Sequence, residues 1–133
     1  MRVIIIAVIA AMLCAESAYA EMNLSVDGVS LAVEWEDNRT VDALKELAPL
    51  IVRMSAYGGF EQVGSLGRRL PRDDVRITTE PGDIVLYAGN NIVMFYGSNT
   101  WEYTRLGKII GKSQKELAEI LSKSGVTLTI SAE

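Results

Sequence analysis

The chain opens on an unbroken apolar run, Val3 to Leu13, behind a single positive charge at Arg2. Ala18-Tyr19-Ala20 follows, a small-x-small pattern of the kind signal peptidase accepts. The run is too short to span a bilayer, which takes ~20 apolar residues. Residues 1–20 therefore read as a secretory signal peptide, and residues 21–133 as one working domain. Cys14 offers a lipoprotein alternative, although Leu13 stands where lipidation favours a small residue. The expectation is an exported protein, periplasmic or secreted, with no stable membrane insertion after cleavage.

From Met22 the pattern switches to period two. Met22, Leu24 and Val26 alternate with Asn23, Ser25 and Asp27, and Asp27-Gly28 is a favoured hairpin turn. A return strand is predicted to place Val29, Leu31, Val33 and Trp35 on one face. Thr40 is the expected cap of a helix over Val41 to Leu47, ended by Pro49. Leu50 to Ala56 reads as a strand, and Gly58 to Arg76 as a long surface loop with short extended pieces. Ile84 to Tyr87 and Ile92 to Tyr96 are apolar almost without break, as in strands covered on both faces. Ser113 and Glu116 form a capping box ahead of Leu117, Ile120 and Leu121, with Gly125 as the expected helix stop. Val126, Leu128 and Ile130 then alternate in a last strand. Six or more strands with two short helices predict a mostly β domain, a closed or nearly closed barrel plugged by helices.

Composition narrows the chemistry. The 133 residues contain no histidine and one cysteine, which lies in the leader. The mature domain thus has no disulfide, and neither the Ser-His-Asp nor the Cys-His constellation can be built. Zinc loses its two commonest ligands, and neither a calcium loop nor a phosphate-binding P-loop is present. No metal and no cofactor is expected. A net charge of −4 argues against nucleic acid as a partner.

Three stretches remain as candidate chemistry. The glycine-rich run Tyr57 to Gly67 places Phe60, Glu61 and Gln62 either in a demanding loop or at a pocket mouth. Arg68, Arg69, Arg72 and Arg76 could grip an anion, but Asp73 and Asp74 among them favour a self-neutralised surface. In Tyr96 to Gly107, Asn99, Trp101, Tyr103 and Arg105 share one parity of an extended chain, a candidate binding wall. Glu61 gains interest if it is buried near Arg53 or Arg105.

Tyr57-Gly58-Gly59-Phe60-Glu61, Leu70-Pro71, Pro81-Gly82-Asp83-Ile84-Val85-Leu86-Tyr87, Gly97-Ser98-Asn99-Thr100-Trp101 and Tyr103-Thr104-Arg105-Leu106-Gly107 together resemble the bacterial cyclophilin-like family. The resemblance runs from Trp35 through the last strand. It implies a cyclophilin-like closed β-barrel with two short helices. True cyclophilins isomerise X-Pro bonds with an arginine in a Phe-His-Arg stretch; here Val52-Arg53-Met54 stands in its place, without the histidine. The leading expectation is a domain binding a small molecule or peptide in a pocket on one barrel face, lined by Arg53, Tyr57, Phe60, Glu61, Asn99, Trp101, Tyr103 and Arg105. A peptidyl-prolyl cis-trans isomerase and a structural or partner-docking module are the alternatives.

Overall fold

A computed structural model describes residues 22–132; the predicted leader and Cys14 lie outside the described residues. The first hairpin joins β1 (Met22–Val26) to β2 (Val29–Leu31) through Asp27 and Gly28, both at positive φ. The expected single return strand is instead two. It breaks at Ala32, and β3 (Val33–Trp35) leaves β1 to pair with β9 (Thr100–Ile109). This break is what lets a sheet curl shut, because one short segment supplies both of its edges.

Between those edges run β4 (Leu50–Tyr57), β5 (Glu61–Ser65), β7 (Asp83–Tyr87), β8 (Asn91–Phe95) and β10 (Gly125–Ala132). The antiparallel order is β2-β1-β10-β4-β5-β8-β7-β9-β3, with β6 (Val75–Thr78) off this path, paired to β9. The result is a nearly closed barrel. Across its seam, the Trp35 indole Nε1 donates to the Met22 carbonyl at 3.1 Å.

Alternate side chains from every wall fill the interior: Leu24, Val52, Met54, Ile84, Leu86, Ile92, Met94, Leu106, Leu128 and Ile130 are all buried in one cluster. The helix α1 (Arg39–Leu47) adds Val41 and Leu44, and α2 (Gln114–Leu121) adds Leu117 and Leu121. Both helices therefore act as plugs. The cap of α1 is Asn38 and not Thr40: its Oδ1 accepts from the Val41 amide at 2.8 Å while its Nδ2 donates to the Arg105 carbonyl at 2.9 Å. Thr40 is buried, and its hydroxyl donates to the Pro71 carbonyl. The capping box on α2 forms as expected, but that helix ends at Ser122, and Gly125 begins β10.

The predicted loop over Gly58 to Arg76 hides β5, a central strand. Its alternation is masked because the inward positions are Gln62 and Gly64, not aliphatics. Gln62 is fully buried and its amide nitrogen donates to the Leu121 and Lys123 carbonyls at 2.8 and 2.7 Å, fastening the end of α2 to the wall.

Closure also requires a residue without a side chain. A Cβ on Gly107 would sit 2.8 Å from the Glu34 carbonyl oxygen and 3.3 Å from the Trp35 Cα, both on the backbone of β3. Gly107→Ala should therefore destabilise the domain by about 1–3 kcal/mol in urea titrations, the usual cost of overpacking. An unchanged midpoint would show that β3 is not held this tightly against β9.

Candidate functional site

The pocket forms on the outer face of the barrel. On β7 and β8, Ile84, Leu86, Ile92 and Met94 point inward, so Val85, Val93 and Phe95 point out. These outward residues are nonetheless buried, in a second cluster with Tyr103, packed against Val63 and Ile77. The cover is the ribbon of β6 and the first half of β9, whose register sets Ile77 opposite Trp101 and Val75 opposite Tyr103. Beside this cover the outer face opens into a cavity of about 800 Å3, within the usual range for ligand sites.

Tyr57, Phe60, Tyr87, Trp101 and Tyr103 put five aromatic rings around the cavity, with Glu61 and Asn99 as its polar members. Successive rings pack edge to face or tilted: Tyr57 on Phe60 at 6.2 Å, Phe60 on Phe95 at 6.4 Å, Phe95 on Tyr103 at 5.6 Å and Tyr103 on Tyr87 at 6.1 Å. Aromatic contacts of this kind add about 0.5–1.5 kcal/mol each beyond area burial, so the rings support one another within the wall. Phe60 is seated over Gly58, at φ +65, where a Cβ would overlap its ring.

Two polar groups are placed with care. Asn99 is pinned by backbone and hydroxyl bonds to Thr79, and its side-chain nitrogen donates to the Tyr103 phenol at 2.7 Å. The phenol oxygen thus acts as an acceptor, and its own proton is left to donate elsewhere. Glu61 is 7% exposed, yet its carboxyl makes no hydrogen bond or ion pair among the described residues. Burial pushes its pKa up from 4.5 to about 7. Burial also raises the Tyr103 phenol, with the nearby Glu61 adding to the effect.

The expected wall is assembled in part. Tyr57, Phe60, Glu61, Asn99, Trp101 and Tyr103, drawn from two stretches nearly forty residues apart, line one cavity. Arg53 and Arg105 do not. Arg53 lies on the exposed face of β4, four residues from Tyr57, about 13 Å along an extended strand. The Arg105 guanidinium is drawn 3.2 Å from Asp83 at the start of β7, whereas Tyr87 at that strand's other end lines the pocket. Glu61 is therefore buried without either arginine. Gly58, Val63 and Tyr87 are lining residues that sequence reasoning missed. Period-two parity in β7 would have grouped Tyr87 with Val85, but only the β7–β9 pairing brings it beside Tyr103.

Of the four arginines, Arg69 and Arg72 come together beside Gly89, while Arg76 lies apart over Trp101. Arg72 lies 3.5 Å from Asp74, Arg69 donates to the Ala88 carbonyl, and Arg76 stacks over Trp101 at 5.8 Å. Asp73 is engaged by Arg39 in a bidentate pair at 2.9 and 3.0 Å.

A nearly closed antiparallel barrel plugged by two helices is the architecture of a cyclophilin-like domain. The sequence profile of the cyclophilin-like family matches residues 24–131, and the chain belongs to that family. No curated protein matches it.

An unpaired carboxyl that titrates near neutrality links stability to pH. Glu61 keeps its proton in the fold up to about 7 but loses it near 4.5 in the unfolded chain. Stability should then fall as pH rises between those values and stay lower above them. Glu61→Gln should match the wild type at about pH 4 and exceed it at about pH 8, by on the order of 2 kcal/mol after allowing for screening at the open mouth. Equal stability of the two proteins at high pH would mean that Glu61 is solvated.

Proposed function

We propose that this cyclophilin-like domain is an exported binding protein whose outer-face pocket holds a small molecule or a short peptide segment. The observation that carries the reading is the unsatisfied Glu61 carboxyl within a prebuilt cavity of five aromatic rings. The carboxyl lines the cavity without a hydrogen bond among the described residues, so a ligand can supply its partner on arrival. A partner-docking module would present a flat apolar patch instead of a concave site. An isomerase reading is supported less, because no arginine lines the pocket to stabilise a twisted X-Pro amide.

Two measurements test the reading. The neutral dye Nile red and a panel of proline-containing peptides are titrated against the domain while Trp fluorescence is followed. At least one probe should saturate at a single site, and Trp101→Ala should weaken it about 10-fold, as expected on truncating an aromatic anchor. Trp101 is half exposed, so its loss leaves the fold intact. Binding unaffected by that change would move the site elsewhere. For export, the mature protein recovered from the producing cells should begin at Glu21, and an intact Met1 terminus would overturn the leader.

A further inference from the structure

We infer that the pocket selects an organic cation, an alkylammonium group held between the aromatic rings and the Glu61 carboxylate. This rests on the binding reading above and adds to it the charge of the ligand. Three observations meet at one place. Tyr57, Phe60, Tyr87, Trp101 and Tyr103 surround the cavity, and aromatic rings attract cations through their negative faces. Glu61 is buried there with no counter-ion among the described residues, and none of their lysines or arginines lines the cavity. At the rim, the Arg76 guanidinium already lies 5.8 Å from the centroid of Trp101, so that ring is engaged by a cation in the free protein.

The alternatives fit the chemistry less well. An anion would have to approach Glu61, with Arg76 at the rim already stacked on Trp101 and no lysine or arginine among the described residues lining the cavity itself. A metal ion needs several ligands, and among the described residues no cluster of three His, Cys, Asp or Glu side chains could hold one. A neutral ligand could accept a hydrogen bond from the carboxylic acid, but it would gain no charge–ring attraction from the five rings. An ammonium ion uses both: its methyl or methylene groups pack on the rings while its charge replaces the counter-ion that Glu61 lacks.

The groups facing Glu61 are few. Tyr57 comes from β4, Tyr87 from β7 and Tyr103 from β9, with Asn99 just before β9 and Arg76 of β6 at the rim over Trp101; burial raises the Tyr103 phenol above its ordinary value. The pH response of cation binding therefore belongs to Glu61. A cation should bind best when Glu61 is ionised, so affinity should climb as pH rises through about 7 and level off above it.

The experiment compares choline and n-butylammonium with 3,3-dimethylbutan-1-ol, the neutral isostere of choline, by calorimetry and Trp fluorescence on the mature domain. Both cations should bind about 10-fold more tightly at about pH 8.5 than at about pH 5.5, and the alcohol should show no such rise. Glu61→Gln, with its fold checked by near-ultraviolet circular dichroism, should bring the cations down to the level of the alcohol and flatten their pH profile. The inference is overturned if the alcohol matches choline at high pH, or if Glu61→Gln leaves cation affinity unchanged. Cations that fail to bind while Nile red still saturates in a Trp101-dependent way would overturn the charge selection and leave the binding reading standing. Failure of every probe, Nile red included, would overturn both.

Discussion

The β7–β8 hairpin is buried on both faces over most of its length, and the rest of the molecule is arranged around that constraint. Its inward residues are claimed by the barrel core, so its outward residues need a second cover. The cover comes from β9, which is ten residues long because it does two things. Its second half closes the barrel against β7 and β3, and its first half leaves the wall to pair with β6 over the outer face. Where this ribbon stops short of β4 and β5, the aromatic surface stays open. The pocket is the uncovered remainder of a buried face.

This origin explains the pocket's character. Its floor is the outer parity of central strands, and its wall is the inner parity of the ribbon, so apolar and aromatic residues dominate both. Glu61 is the exception. It sits directly across from Phe95 on β8 and from Tyr57 on β4, positions at which a hydrophobic residue would pack without cost. A carboxyl there is desolvated, which weakens the fold once it ionises, and no internal interaction offsets the loss.

The arginines show why charge patterns mislead when they are read along the chain. Arg105 has the right parity for the pocket, but a bulge between Ile84 and Val85 and the buried carboxylate of Asp83 direct it to the start of β7. Arg53 lies on a pocket strand, β4, yet extended geometry sets it four residues away from the lining at Tyr57. Each long cation goes to the nearest carboxylate or to solvent, and that choice depends on strands that are distant in sequence.

Local pattern was enough to determine the class of this protein: a mostly β barrel with two plugging helices, the Asp27-Gly28 hairpin, the doubly covered β7 and β8, and the two glycine- and aromatic-rich stretches that contribute to the site. Those features depend on turn chemistry and on period, which act over a few residues. The strand at Glu61–Ser65 escaped because Gln62 and Gly64 occupy its inward positions, and the break at Ala32 because closure is a property of the whole sheet. Only the tertiary structure decided that Phe60, Tyr87 and Trp101 meet around Glu61 and that neither Arg53 nor Arg105 joins them. That outcome follows from register across β4, β5, β8, β7 and β9, and register is set by cross-strand packing that no local run of sequence encodes.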